Sequence, residues 1–255
     1  MRTLSLAAGV MTDIGPVDMV RAAAVAGWPA CGIWYDHSEW TAQTTREIQR
    51  RATDTGLSIL DVEPIIPSDG RADNGESLID VAAELGAPFV LFASRLTDTA
   101  ASADRFARLC EHAQSAGVTV VCEFLPIFPV NSLDVAMEIV RRSSARNAGV
   151  LVDNLHLSRS GGSVSDVVRH DPALFPYVQI ADAPAVVPAT PADLAWEAMK
   201  GRSCPGEGQL PIAELLEAIP NVPISFEVRS EKLLVDFPDP VERAAHVWSL
   251  CRSLG

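Results

Sequence analysis

The sequence predicts a single (β/α)8 TIM barrel that spans residues 1–255. Eight short apolar runs alternate with longer segments of helical periodicity, which is the order of elements in such a barrel. Runs such as PFVLFA and VTVVCEF are almost continuously apolar, as expected for parallel strands covered on both faces. An open, doubly wound sheet is the alternative, but no GxGxxG segment follows the first strand and no P-loop is present.

Each predicted strand leads into a helix, and several helices end at a glycine, which is the usual helix stop. The predicted strands are Leu4–Ala7, Cys31–Tyr35, Leu57–Glu63, Phe89–Ala93, Val118–Phe124, Gly149–Asp153, Tyr177–Ala181 and Ile224–Val228. The predicted helices are Val17–Ala26, Thr44–Thr55, Ser77–Leu85, Ala101–Ala116, Leu133–Arg142, Val164–Arg169, Ile212–Ala218 and Pro240–Ser253. The longest irregular stretch, residues 182–211, follows the seventh strand, where a barrel has its active face.

Composition narrows the class of partner. The formal charge is −13, from 33 acids against 20 bases, which argues against binding to nucleic acid or to anionic membrane surfaces. No apolar run approaches the ~20 residues that a membrane span needs. The five cysteines are odd in number, widely spaced and without a CxxC pair, which predicts reduced thiols and a cytoplasmic location.

Polar residues interrupt the apolar strands close to their carboxyl ends, where barrel enzymes carry their sites. Glu123, Asp153 and Glu227 belong to strands five, six and eight, and Gln179 belongs to strand seven. Carboxylates that converge on one axis repel each other, and a divalent cation is the simplest compensation. Three carboxylates and an amide oxygen form a hard ligand set, so we expect one ion, with Mn²⁺ or Mg²⁺ favoured and Co²⁺ or Zn²⁺ tolerated.

Other polar residues are candidates for substrate contacts. Glu63 ends strand three and Arg202 lies in the long loop, so each is a candidate substrate-binding residue. Asp182 is a candidate to orient a ligand, whereas Glu207, between two glycines, is expected to shape its loop. Arg229 and Lys232 follow strand eight, and either could meet an anion, although a surface position is expected for both. Four aromatic residues could wall a pocket, although barrel packing is their expected role: Trp34, Phe92, Phe124 and Trp196.

At these residues the chain resembles the xylose isomerase-like TIM barrels, also called the sugar phosphate isomerase/epimerase or AP endonuclease 2 superfamily. The shared features are the strand-five Glu, the strand-six Asp-x-x-His, the strand-seven His or Gln, the strand-eight Glu and the PGEG segment. The resemblance implies a metal held by Glu123, Asp153, Gln179 and Glu227. It also implies proton transfer by Glu123 and Glu227 as catalytic residues, and substrate binding by His156.

The resemblance implies a metal-dependent isomerase or epimerase of carbohydrate metabolism that acts on a polyol or keto-sugar through an enediolate. The alternative is a dehydratase of an inosose- or dehydroshikimate-like substrate that uses the same site. A non-catalytic ligand-binding barrel is a weaker reading. A DNA-repair endonuclease is disfavoured because few histidines face the site. Relatives are often homo-oligomers, so an oligomer is also expected.

Overall fold

The computed structural model describes residues 2–255 and confirms the predicted (β/α)8 TIM barrel. Eight parallel strands close into a barrel in sequence order, and the last strand pairs with the first. The strands are β1 (Leu4–Leu6), β2 (Ala30–Trp34), β3 (Ser58–Ile65), β4 (Phe89–Phe92), β5 (Thr119–Glu123), β6 (Ala148–Asp153), β7 (Val178–Ile180) and β8 (Ile224–Phe226).

Helices cover the outside of the barrel. They are α1 (Pro16–Ala26), α2 (Ala42–Thr55), α3 (Gly75–Leu85), α4 (Thr99–Gln114), α5 (Leu133–Ser143), α6 (Asn154–Arg159), α7 (Val164–Val167), α8 (Pro191–Lys200), α9 (Ile212–Ala218), α10 (Glu231–Asp236) and α11 (Pro240–Cys251). Short 3-10 turns lie at Ala8–Val10, Pro172–Leu174 and Arg252–Leu254. No helix within residues 2–255 is both long enough and apolar enough to span a membrane.

The predicted strands and helices are all present, and their ends differ from the prediction by at most two residues. Three helices were not predicted: α6, α8 and α10. The prediction that residues 182–211 are irregular was wrong, because α8 occupies part of this stretch. Thr190 caps α8 by accepting a hydrogen bond from Asp193 N at 3.1 Å, and Pro191 stands at its first position. This capping signal is in the sequence, but the short apolar face of α8 obscured it.

The interior of the barrel has an apolar layer and, nearer the carboxyl ends of the strands, a polar layer. Val121, Leu151 and Tyr177 belong to the interior apolar cluster. Since side chains along a strand alternate between the two faces, Glu123, Asp153 and Gln179, each two residues further on, share this inward face. Because side chains alternate with a period of two, the polar groups of three neighbouring strands lie together at the carboxyl-terminal end of the barrel, which we call the mouth.

An irregularity in β3 turns an additional acid inward. Pairing with β2 shifts register so that Cys31 faces Ile59 while Gly32 faces Asp61, which leaves Leu60 as the extra residue. A Cβ built on Gly32 would lie 2.9 Å from Asp61 Oδ1, so glycine provides the space that this carboxyl group occupies. The bulge thus places a second acid of β3, besides Glu63, inside the barrel.

The five cysteines are all free and buried, which confirms the prediction of thiols without disulfides. They pack as small apolar side chains, and burial raises the pKa of Cys110 and of Cys204 to about 12. These two thiols are therefore protonated at neutral pH.

Candidate active site

All of the predicted site residues are buried at the mouth of the barrel. They are Glu63, Glu123, Asp153, His156, Gln179, Arg202 and Glu227. Asp153 and Gln179 lie side by side, since they are register partners of β6 and β7. The structure thus brings into one region side chains that are up to 164 residues apart along the chain, from Glu63 to Glu227.

Asp153 lies at the centre of this region and is held from two sides. Its Oδ1 accepts hydrogen bonds from the backbone N–H groups of Leu155, at 2.7 Å, and His156, at 3.0 Å, so that it caps α6. Its Oδ2 accepts a hydrogen bond from Arg202 Nη1 at 2.5 Å. Burial alone would raise the pKa of Asp153, but Arg202, His156 and the backbone N–H hold it below its ordinary value.

Arg202 extends from the loop after β7 into the mouth and bridges two acids. Its Nη1 lies 2.5 Å from Asp153 Oδ2 and 2.9 Å from Glu227 Oε2. Its Nε donates to the carbonyl of Ala198 at 2.9 Å. A guanidinium with this many partners is fixed in position, and it offsets part of the repulsion between the two carboxylates.

His156, three residues after Asp153, is neutral. Arg202 Nη2 lies 3.2 Å from His156 Nε2, and because a guanidinium only donates, we assign the His156 proton to Nδ1. Burial lowers the pKa of His156 to about 4, with Asp153 opposing and Arg202 adding to the shift. His156 Nε2 also lies 3.9 Å from Glu123 Oε1, so the neutral ring forms one wall beside that glutamate.

The two glutamates of β5 and β8 have different electrostatic surroundings. Burial raises the pKa of Glu123 well above its usual range; the charges of Glu227 and Asp153 add to this shift, and those of Arg202 and Arg229 oppose it. Burial also raises the pKa of Glu227, but Arg202 and Arg229 oppose that shift. Glu227 therefore has two cations to stabilise its charge, whereas in residues 2–255 no Lys or Arg nitrogen lies within 4.0 Å of the Glu123 carboxylate.

The donor set fits a divalent cation. Glu123, Asp153 and His156 each offer a ligand atom, and these atoms lie within 4.8 Å of one another. Both amide atoms of Gln179 are buried without a protein hydrogen-bond partner in the described chain, and an unpartnered amide beside Asp153 is available as a neutral oxygen ligand. These atoms are suited to hold a hard cation. Glu227, the fourth predicted ligand, is not part of this close group, and its Oε2 lies 2.9 Å from Arg202 Nη1.

Two residues for which a role in the site was the less favoured expectation contribute to the mouth. Arg229 was expected at the surface, but its side chain is only 13% exposed and its Nη1 lies 4.0 Å from Glu227 Oε1. Trp34 was expected to pack inside the barrel, yet it is 39% exposed and lies under the Arg229 guanidinium. The only available signal was their position, since each lies at or just beyond the carboxyl end of its strand.

Two other expectations have different outcomes. Asp182 does not reach the mouth through its carboxylate, which instead accepts hydrogen bonds from the backbone N–H groups of Gly206, Gly208 and Leu210. It organises the loop that carries Arg202. Glu207 shapes the same loop, as expected, by accepting a hydrogen bond from Cys204 N at 3.0 Å.

A family model matches nearly the whole barrel. The model described as xylose isomerase-like TIM barrel, AP endonuclease 2, aligns with residues 20–250. The chain belongs to the xylose isomerase-like TIM barrel family. This membership confirms the resemblance inferred from the strand-end residues.

Curated relatives of this family include two dehydratases. The 3-dehydroshikimate dehydratase of Pseudomonas aeruginosa is 27% identical over 229 residues, which cover 83% of this chain and 36% of that protein. The enzyme of the same name from Pseudomonas putida is 27% identical over 218 residues, which cover 79% of this chain and 33% of that protein. The chain therefore spans about a third of the length of these relatives.

Solved structures of the xylose isomerase-like family share the fold. A xylose isomerase-like TIM barrel/4-hydroxyphenylpyruvate dioxygenase fusion protein superposes with a TM-score of 0.79 at 24% identity, covering 96% of this chain and 41% of that one. The IolI protein, solved with a bound zinc atom, has a TM-score of 0.79 at 15% identity, covering 99% and 96%. D-psicose 3-epimerase from Clostridium cellulolyticum, solved with D-tagatose, has a TM-score of 0.75 at 13% identity, covering 99% of each chain.

Proposed function

We propose that the chain is a metal-dependent dehydratase that removes a proton next to a carbonyl group and expels a hydroxyl group from the neighbouring carbon. The observation that carries this proposal is the pair of buried glutamates, Glu123 and Glu227, on either side of Asp153 and Arg202. The names of the two curated relatives support dehydration of a dehydroshikimate-like ring.

The surroundings of the two glutamates assign their roles. Glu227 faces Arg202 and Arg229, which stabilise its charged form, so it is the base that takes the proton from carbon. Glu123, beside the neutral His156, is the acid that protonates the departing hydroxyl. The electron pair of the broken C–H bond becomes the new C=C bond as the C–O bond breaks, and the hydroxyl leaves as water.

Negative charge develops on the substrate oxygen during proton removal. A divalent cation held by Glu123, Asp153, Gln179 and Glu227 would supply Lewis-acid stabilisation of this charge. Arg202 and the Nδ1–H group of His156 are the other donors of the mouth, and they would orient substrate oxygens through hydrogen bonds. Burial of the whole set excludes water and strengthens each of these interactions.

Isomerisation or epimerisation is the second candidate, because it begins with the same proton abstraction. The two reactions differ only in the second step, when Glu123 returns a proton to carbon instead of to the hydroxyl group. The fold shared with D-psicose 3-epimerase is compatible with this outcome.

The test loads the protein with Mg²⁺ in D₂O and supplies 3-dehydroshikimate and a panel of ketoses. We expect dihydroxybenzoate to form from 3-dehydroshikimate. The rate is measured from the ultraviolet absorbance of this product. Glu227→Gln should reduce this rate by about 10²–10⁴-fold, since the amide cannot accept the proton. Glu111→Gln, an exposed site on α4, is the matched control and should retain full activity.

The outcomes separate the candidates. Deuterium uptake into a recovered ketose or its isomer, without water loss from any compound, would favour the isomerase. Absence of both deuterium uptake and dehydration across the panel would refute enolisation altogether. Near-normal dehydration by Glu227→Gln would show that the base is assigned wrongly.

A further inference from the structure

Arg229 is half-buried and differs from the buried arginines of the described chain in lacking a hydrogen-bonded side-chain partner. Arg159 pairs with Glu197 and Arg243 pairs with Asp13 through two nitrogens each, and Arg202 bridges two carboxylates. The Arg229 side chain is only 13% exposed, yet it makes no hydrogen bond to any group of residues 2–255, and its Nε is buried without a partner. The buried Nε–H donor is costly to leave unpaired, and an acceptor that enters from outside would satisfy it.

The backbone fixes Arg229 beside the proposed base. Its N–H donates to the carbonyl of Glu227 at 3.1 Å, and its carbonyl accepts from the N–H of Arg202 at 3.0 Å. Its Nη1 lies 4.0 Å from Glu227 Oε1, which is too far for a hydrogen bond. A Cβ built on Gly9 would lie 2.6 Å from Glu227 Oε1 and 3.0 Å from Arg229 Cγ, so the turn after β1 leaves room for both side chains.

The guanidinium of Arg229 borders a cavity of about 490 Å³ at the ends of β1 and β2. Its Cζ lies 5.4 Å from the centroid of the Trp34 ring, a cation–π contact that limits its orientation. Met11, Ile14 and Trp40 make much of the remaining wall apolar. Glu227 does not line this cavity, but Arg229 does, and its Nη1 lies 4.0 Å from Glu227 Oε1.

The acids in the same cavity do not neutralise Arg229. Asp18, Asp36 and Glu39 line it, but none of the three carboxylates lies within 4.0 Å of an Arg229 nitrogen, and Asp18 pairs with Arg21 at 3.4 Å. Asp36 instead accepts hydrogen bonds from the backbone and the hydroxyl of Ser38, at 2.9 and 2.6 Å. The free donors of Arg229 are therefore left for a group that enters from outside.

We propose that Arg229, held against Trp34, binds a carboxylate group of the substrate, which makes the substrate class a hydroxylated keto acid and not a neutral sugar. The planar guanidinium offers paired N–H donors that match the two oxygens of a carboxylate. This inference rests on the proposed function only to say where the reacting carbon lies. It does not depend on which reaction follows at that carbon.

The test compares two ring compounds that differ only in the carboxylate. Titration calorimetry would measure binding of 3,4-dihydroxybenzoate and of catechol to the Mg²⁺-loaded protein. We expect the acid to bind at least about tenfold more tightly than catechol, the effect of one charge-assisted hydrogen-bonded pair. Arg229→Met should abolish this preference, and far-ultraviolet circular dichroism checks that the variant is folded. Arg229→Lys should retain part of the preference.

The matched control is Lys232→Met, because Lys232 is an exposed base three residues further along. This control should keep the full preference for the acid. Equal affinity of the original protein for both compounds, or an undiminished preference in Arg229→Met, would overturn the assignment of Arg229.

Binding and turnover keep the two proposals distinguishable. A preference for the acid that depends on Arg229, in a protein that neither dehydrates nor exchanges deuterium, would refute the proposed function and support the carboxylate subsite. Equal affinity of the Mg²⁺-loaded protein for 3,4-dihydroxybenzoate and catechol, together with rapid deuterium uptake by neutral ketoses, would support enolisation and refute the subsite.

Discussion

Asp61 is a fully buried acid that makes no hydrogen bond within the described chain. Both carboxyl oxygens lack a partner, and burial raises the pKa of Asp61 to about 7, with the charge of Glu227 adding to the shift. The unfolded chain exposes the same group to water, where its pKa has the ordinary value of 3.8. At neutral pH the fold therefore bears a cost at this residue that the unfolded chain does not bear.

Because the buried Asp61 carboxylate destabilises the fold, we predict that Asp61→Asn increases the free energy of unfolding of the metal-free protein. The size of this increase should depend on pH. Between pH about 4 and about 7 the folded protein holds a proton that the unfolded chain has released, so the free energy of unfolding falls as pH rises through this window. The amide does not titrate. The variant should thus become more stable than the original protein as pH rises, by on the order of a few kcal/mol at pH 8.

Urea unfolding at pH 5 and pH 8 measures this difference. Asp104→Asn, at an exposed site on α4, is the control and should show no such pH-dependent gain. A gain for Asp61→Asn that is equal at the two pH values would mean that the Asp61 carboxyl group does not titrate as argued.

At the scale of elements, the loop between β7 and β8 decides where Arg202 lies. Residues Asp182 and Ser203 bridge through two backbone hydrogen bonds of 2.8 Å each. The Asp182 carboxylate also accepts from three backbone N–H groups of the PGEG region, at 2.9 to 3.0 Å. A Cβ on Gly208 would overlap this carboxylate, so glycine is required for the close approach. The loop is folded back on β7, and Arg202 is carried with it.

Asp182→Ala should release this loop. Removing the acceptor leaves buried backbone donors unpaired and should cost about 1–3 kcal/mol per group, partly relieved by water. Local opening would expose the bond after Arg202, which is buried in the intact fold. We expect trypsin to cut there about tenfold faster or more, as followed by mass spectrometry.

The control for the loop is again Asp104→Asn, which lies far from it and should keep the original cleavage rate. Unchanged cleavage after Arg202 in Asp182→Ala would show that the Asp182 carboxylate does not hold the loop closed.

At the scale of the whole molecule, the proposed cation ligands join strands that are distant in sequence. Glu123, Asp153, Gln179 and Glu227 come from β5, β6 and β7 and from the residue after β8, half of the barrel wall. An ion that binds only when these strands are assembled stabilises the folded chain by mass action. The carboxylates that repel one another in its absence would then be bridged.

Addition of Mg²⁺ or Mn²⁺ to chelator-treated protein should therefore raise the melting temperature. At a hundredfold excess over the dissociation constant the gain is about 2.7 kcal/mol, which corresponds to roughly 5–10 °C for a chain of this size. Differential scanning calorimetry measures the shift. Asp153→Asn should lose most of this shift in melting temperature, whereas Asp104→Asn should retain it. A melting temperature that neither ion changes would contradict the metal site.

The barrel and most of its site were predictable because the deciding signals are local. A run of β-forming apolar residues predicts each strand, and helical periodicity with a capping residue or a terminal glycine predicts each helix. Glu123, Asp153, Gln179 and Glu227 interrupt such runs near the strand ends, and closure of a parallel barrel brings strand ends together. Helix α8 gives no such periodic signal, because it buries only Glu197 and Ala198 and leaves the large apolar side chains of Trp196 and Met199 exposed. It is stabilised by the contact of Glu197 with Arg159 of α6, at 2.7 Å.

The sequence by itself determined the fold, the family and the ring of acids, because alternation and strand order are properties of neighbouring residues. Only the tertiary structure decided that Arg202 lies between Asp153 and Glu227, that the half-buried Arg229 lies over Trp34, and that a bulge turns Asp61 inward. These placements depend on loop packing and strand register between residues far apart in the chain. No pattern within a single segment encodes such contacts, since their free energy arises only when the barrel has closed.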